Sequence, residues 1–163
     1  MGGSDKQATA TSEFEILAPV SGELVHLENT NDPAFSSRAV GDGVAVVPQE
    51  GTVCAPVSGT VAALFPTEHA LGIMSDDSSA QVMLHIGIDT VKLEGKGFHA
   101  LVAQGDHVDA GQPLVEVDFD AVRAAGFDPT VFVIVCERSE NSTLREHASG
   151  PVAVKEPVVW LSE

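Results

Sequence analysis

The sequence predicts an all-β fold: an antiparallel β-sandwich or barrel built from duplicated strand-turn-strand units, with one or two short helices. Three observations carry that prediction. From Phe14 onward, short apolar runs are broken at close intervals by Gly, Pro, Asp and Asn, the pattern of sandwiches and barrels. The segment Ala18-Pro19-Val20-Ser21-Gly22-Glu23-Leu24-Val25 returns as Ala55-Pro56-Val57-Ser58-Gly59-Thr60-Val61. Helical periodicity is scarce.

Residues 1–14, mostly small and polar, read as a flexible leader, and 15–163 as one domain. In each repeated unit Pro fixes the backbone and removes a donor, which suits a strand edge. The Gly after it is expected to supply the positive φ of a tight turn. Two such units can pack face to face and share one core. A second echo pairs Gly41-Asp42-Gly43-Val44 with Gly105-Asp106-His107-Val108, which leads through Gly111-Gln112-Pro113-Leu114 into a strand.

From Ala80 to Val91 the apolar residues alternate. Ala80, Val82, Leu84, Ile86 and Ile88 form one aliphatic row, and Gln81, Met83, His85, Gly87 and Asp89 face the other way. Asp118 or Asp120 caps a short helix through Ala121-Val122-Arg123-Ala124-Ala125, closed by Gly126. Ser142 to His147 offers a second helix. Val131 to Val135 and Val152 to Trp160 read as closing strands, with Pro151 and Pro157 confining the last residues to edge positions.

The 163 residues are enough for one sizeable core, and 44% hydrophobic with 20% charged residues mark a globular chain. A net charge of −16, with eight scattered Lys and Arg, excludes nucleic acid and anionic membrane surfaces and favours a basic partner. The longest apolar run, Val131 to Cys136, suits a strand, so no direct membrane insertion is expected. No secretory apolar region opens the chain, and Lys6 stands where a myristoylation motif needs Ser or Thr. Asn141-Ser142-Thr143 matches a glycosylation acceptor, which matters only in a secreted protein. Cys54 and Cys136 lack disulfide-framework or metal spacing. The expectation is two buried free thiols in a cytoplasmic monomer.

Of the six His, four (His26, His99, His107 and His147) read as surface or structural residues, with His107 and His147 simply solvated. His69 and His85 differ in their neighbours. His85 lies opposite the aliphatic row, two residues before Gly87, which leaves room for a group to approach the ring. Phe65, Thr67 and His69 share a parity, so an extended segment would set a hydroxyl beside an imidazole, although Pro66 makes that segment irregular. Two facing imidazoles suit three tasks. Metal binding needs three or four ligands, and no third residue has compatible spacing. General acid/base catalysis needs a nucleophile or substrate pocket that the residues do not reveal. Reversible phosphorylation of one ring, with the other donating to the phosphoryl oxygens, is the third. The residues alone leave these alternatives open.

The run Leu84-His85-Ile86-Gly87-Ile88-Asp89-Thr90-Val91, preceded by Pro66-Thr67-Glu68-His69-Ala70, resembles the glucose-family IIA component of the bacterial sugar phosphotransferase system. The resemblance continues through Ala55 to Val61, Gly41 to Ala45, Glu94-Gly95-Lys96-Gly97-Phe98 and Gly105 to Val117, covering about residues 15–163. It implies an antiparallel β-sandwich and a phosphotransferase component; no cofactor is expected. It further implies that His85 accepts a phosphoryl group from the phosphohistidine of a small phosphocarrier protein and passes it to a Cys on the IIB domain of a sugar permease. His69 would stay unphosphorylated and steady the group across the pocket. Thr67 would fix the His69 tautomer. The Gly87 carbonyl or its neighbourhood is inferred to do the same for His85, leaving the other ring nitrogen free to attack.

Phe35, Phe65 and Met83 fall where the family has an apolar rim, and Asp32 and Asp89 where it has carboxylates near that rim. Core packing is the other reading of Phe35 and Phe65, and a turn the other reading of Asp32, next to Pro33. Asp89 gains from sharing the strand face of His85. Met83 departs from an aromatic that many relatives carry, and the leader lacks the basic amphipathic character by which some relatives touch membranes.

A biotinyl or lipoyl carrier domain is the main rival, but it presents a modifiable Lys at a hairpin tip, and Lys6, Lys92, Lys96 and Lys155 lack that context. In the family the unphosphorylated form also binds and inhibits permeases and metabolic kinases, a role that sits beside phosphotransfer. A metal could bridge His69 and His85 if a partner supplied a carboxylate.

Overall fold

Alternating side chains on short runs, with one face apolar, make sheets that must bury that face on one another. The computed structural model describes residues 13–163, so the expected leader lies outside the described residues up to position 12. The first strand among the described residues is β1 (Phe14–Leu17). There follow β2 (Gly22–His26), helix α1 (Pro33–Ser36), β3 (Asp42–Pro48), β4 (Thr52–Cys54), β5 (Gly59–Leu64), β6 (Ala70–Ser75) and β7 (Ala80–Ile86). The second half contains β8 (Phe98–Ala100), β9 (His107–Val108), β10 (Pro113–Val117), α2 (Phe119–Ala124), β11 (Val131–Arg138), β12 (Thr143–Glu146), β13 (Gly150–Val152) and β14 (Pro157–Ser162).

Eight strands form one antiparallel sheet in the order β13-β2-β3-β11-β7-β6-β5-β9, and β1-β14-β12 and β4-β10-β8 form two small ones. The main core draws on all three: Ile16, Leu24, Val53, Leu84, Leu114, Val133 and Val158 meet there. A second, smaller cluster of Leu27, Phe35, Ala45, Phe132 and Ile134 covers the other face of the large sheet. The predicted antiparallel sandwich is the observed fold, with two short helices among the described residues.

The duplication is built into the hydrogen bonds. Leu17 N–H donates to the Pro56 carbonyl at 2.9 Å, and Cys54 N–H donates to the Pro19 carbonyl at 2.8 Å. Ala18 N–H donates to Glu156 O and Ala55 N–H to Gln112 O. Ser21 Oγ accepts from Val154 N–H, as Ser58 Oγ does from Ala110 N–H. The large sheet repeats itself about its middle, with β13-β2-β3-β11 matched by β9-β5-β6-β7. The second repeated element is therefore 106–117 with 150–161, not Gly41 to Val44 with Gly105 to Val108. Lys155 hides it, because it takes φ 76° where its counterpart Gly111 takes φ 88°.

Gly22 and Gly59 do not adopt the expected positive φ. Their reason is close approach: a Cβ would collide with the carbonyl oxygen of Val47 or of Met74 on the neighbouring strand. Gly59→Ala should therefore lower unfolding stability by more than about 2 kcal/mol, because the paired backbones must separate. Denaturant melts check this, and a change within about 0.5 kcal/mol would refute it.

Other expectations change. The expected helix at 142–147 is absent: Thr143–Glu146 is strand β12, which pairs with β14, and its exposure alternates with period two. The second helix is α1, which starts at Asp32, whose carboxylate accepts Ala34 N–H at 3.0 Å, with Pro33 in the first turn. Asp118, not Asp120, caps α2, and Gly126 follows it at φ 92°. β11 is central, between β3 and β7, rather than a closing strand. Residues 152–160 divide between β13 and β14. Pro151 does lie on an edge strand, but Pro157 opens the middle strand of its sheet, beside a register shift against β1.

Candidate functional site

Along β7 buried and half-buried residues alternate, which puts Ala80, Val82, Leu84 and Ile86 in the core and His85 on the outer face. Register supplies its neighbours. His85 lies opposite Ala70 of β6 and Phe132 of β11, and directly opposed residues share a face. Phe35, delivered by α1, stacks on Phe132 with centroids 4.4 Å apart and approaches the His85 ring at 5.2 Å.

His69 immediately precedes β6, at the end of the loop 65–69 joining it to β5. Phe65 N–H donates to Ala70 O, Glu68 N–H donates to Phe65 O, and Ile86 N–H donates to His69 O at 2.7 Å. The last bond ties the loop to the end of β7. The two imidazoles consequently meet edge to face, 5.1 Å apart at 85°. The loop is a turn rather than the extended segment that parity assumed. With Glu68 between them at φ 63°, Thr67 Oγ1 and His69 Nδ1 come within 2.5 Å. Phe65 lies edge-on against His69 at 5.5 Å and is 46% exposed, while His69 itself is only 3% exposed.

The strand ends at Ile86. Gly87 turns at φ 82°, where a side chain would collide with Thr90, and its carbonyl accepts the His85 Nδ1 proton at 2.8 Å. Gly87 N–H and Ile88 N–H donate to Thr130 O and Asp128 O, which anchors the turn. The aliphatic row therefore stops one member early: Ile88 packs with Met83 on the outer cluster. Asp89 is not placed by strand parity either; it is exposed, at φ 61°, ahead of a 3-10 turn over Thr90–Leu93. It still acts on His85 through charge, as does Asp32. Phe35 is 5% exposed and packs in the outer cluster, with its ring beside that of His85. Among the described residues, no group of three or more His, Cys, Asp or Glu is placed to hold a metal ion.

Burial lowers the His85 pKa, with the Gly87 hydrogen bond and the charges of Asp32 and Asp89 opposing it. Burial, helped by the neighbouring His85, pushes His69 down to about 4. Both rings are thus neutral near pH 7. Above about pH 6.5 the ring of His69 adds no pH dependence. As the pH falls from there towards 4, the unfolded chain binds a proton that the folded chain refuses. Stability should fall across that window by up to about 3 kcal/mol on account of His69. His69→Gln should flatten the slope in denaturant melts at pH 7 and pH 4.5, and an unchanged slope would show that His69 is not held neutral.

Phe132, the ring beneath Phe35 and beside His85, is a site residue that the sequence reading missed. Its signal was present: in β11, Phe132 and Ile134 face away from Val131, Val133 and Val135. Elsewhere, His107 is paired with Asp76 at 3.0 Å and His147 with Glu156 at 3.1 Å, so neither is merely solvated. Both cysteines are free, but only Cys54 is fully buried. No helix among the described residues is long and apolar enough to cross a membrane.

A model of the phosphoenolpyruvate-dependent sugar phosphotransferase system EIIA 1 family matches residues 14–141. The chain is 42% identical over 145 residues to the PTS system glucose-specific EIIA component of Bacillus cereus, covering 89% of this chain and 87% of that protein. It is 42% identical over 144 residues to the PTS system glucose-specific EIICBA component of Streptococcus pneumoniae, covering 88% of this chain. It is 41% identical over 161 residues to the PTS system beta-glucoside-specific EIIBCA component of Bacillus subtilis, covering 98% of this chain. The chain spans only 20% and 26% of the length of those two relatives. The solved glucose permease IIA from Mycoplasma capricolum matches with a TM-score of 0.84 at 34% identity, covering 92% of this chain and 96% of that one.

Proposed function

Since the chain belongs to the phosphoenolpyruvate-dependent sugar phosphotransferase system EIIA 1 family, and so is a phosphotransferase component, we propose that His85 is the residue that carries the phosphoryl group. The observation behind this reading is the bond from His85 Nδ1 to the Gly87 carbonyl. A ring that donates through Nδ1 and is neutral keeps its lone pair on Nε2, the form a nucleophile needs.

In the first step His85 Nε2 attacks the phosphorus held on the phosphohistidine of the phosphocarrier protein. A new N–P bond forms, the donor's N–P bond breaks, and its electron pair returns to the donor imidazole. In the second step a cysteine thiolate of a IIB domain attacks the same phosphorus, and the His85 N–P bond breaks with its electron pair returning to Nε2. Names joining A, B and C components in single relatives support a IIB acceptor. His69 does not carry the group. With the Thr67 hydroxyl donating to Nδ1, its Nε2–H is available to a phosphoryl oxygen. Phe35, Phe65 and Met83 form the apolar rim that excludes hydrolytic water, and Asp32 and Asp89 meet basic side chains of the donor.

The test is incubation with phosphoenolpyruvate, enzyme I and the phosphocarrier, followed by mass mapping of the modified residue. A single phosphoryl group on His85, lost in acid and retained in alkali, is expected. A modified residue other than His85, or an acid-stable adduct, refutes the proposal.

A further inference from the structure

The loop carrying Thr67 and His69 contains a residue with no part in the mechanism above. Glu68 sits between them at φ 63°, in the left-handed region that disfavours any residue with a Cβ. Gly or Asn would take that conformation more readily, but neither side chain reaches where this one goes. Glu68 Oε1 accepts the backbone N–H of Ala100 at 2.6 Å, across 32 positions of chain. Ala100 belongs to β8, which among the described residues is an edge strand paired with β10 on one side. A short bond from a carboxylate to a main-chain donor is among the stronger hydrogen bonds.

Neighbouring contacts point the same way. Gln104 accepts from Leu64 N–H at the end of β5, and Gly95 lies behind Thr67, where a Cβ would stand 3.8 Å from the Thr67 carbonyl oxygen. The segment around β8 is thus a buttress for the histidine loop, and Glu68 is its main polar tie.

We infer that Glu68 is a positioning residue: its bond to Ala100 sets the loop so that Thr67 and His69 present the His69 Nε2–H to the group on His85. This rests on the reading of His69 as the residue that steadies the phosphoryl group.

The experiment compares Glu68→Gly with Glu68→Gln in the full chain. Gly accepts the backbone conformation but removes the tie, whereas Gln keeps an Oε1 acceptor. Three quantities are read: phosphoryl uptake from the phosphocarrier, single-turnover transfer to a IIB domain, and the NMR titration midpoint of the His69 ring. Glu68→Gly should keep its uptake yet transfer about ten-fold more slowly, as expected for a displaced catalytic group. Its His69 midpoint should rise from about 4 as water reaches the ring. Glu68→Gln should stay within about two-fold of the parent in transfer.

Parent-like transfer by Glu68→Gly, or equal slowing in both variants, overturns the inference. His69→Gln is run in parallel. If it also transfers normally, the phosphoryl-steadying reading fails; if it is slow while Glu68→Gly is normal, only the tie fails. Should Glu68→Gly melt early, Glu68→Asn, which tolerates the left-handed region and is too short to reach Ala100, replaces it with the same expectations.

Discussion

His85→Ala should fold and should take up no phosphoryl group from the phosphocarrier. The fold survives because His85 faces outward from a strand whose core residues are Ala80, Val82, Leu84 and Ile86. The gap left beside Phe35 and Phe132 costs about 1–2 kcal/mol. The chemistry should not survive, because the neighbouring imidazole cannot substitute. His69 is 3% exposed, and with the Thr67 hydroxyl donating to Nδ1 its Nε2 carries the ring proton and has no free lone pair with which to attack. Intact-mass measurement after incubation with the donor system reads the result directly. Labelling at the parent level would remove His85 from the assignment, and labelling moved to His69 would reverse the two roles.

How far the sequence foretells this site follows from which interactions are local. The alternation from Ala80 to Ile86 by itself puts His85 on the outer face, and Gly87 two residues on is within reach of its ring. Thr67 and His69 are likewise close in sequence, although it is the left-handed Glu68 and not strand parity that brings them together. Parity failed after Ile86 as well, where Ile88 and Asp89 follow the turn instead of the strand.

Register between distant strands has no local signal. Nothing in residues 80–91 announces that Phe132 will stand opposite His85, or that Ala100 will receive Glu68 from 32 positions away. The repeat shows the same limit. Ala-Pro-Val-Ser-Gly is legible twice because close packing demands Gly at both Gly22 and Gly59. Its companion at 150–161 is masked by Lys155, which occupies a glycine-like conformation without being glycine.

His69→Gln should separate the two halves of the transfer. The amide of Gln places an N–H near the position of the imidazole Nε2, so the group arriving on His85 still finds a donor and uptake stays within about ten-fold of the parent. Onward transfer to the IIB cysteine should fall by about a hundred-fold. The difference lies in what an imidazole can do that an amide cannot. Empty, His69 is held neutral by burial, with the adjacent His85 ring as a second cause. A phosphoryl dianion set against it reverses that balance and favours its protonation, so His69 can strengthen its bond as charge shifts toward the departing group. Gln offers a fixed dipole, and it also loses the Thr67 contact that orients the ring. Rapid-quench single turnovers, first with the phosphocarrier as donor and then with a IIB domain as acceptor, separate the steps. Parent-like rates in both would mean that His69 is packing against His85 and nothing more. Equal losses in both would mean that it positions His85 instead of acting on the transferred group.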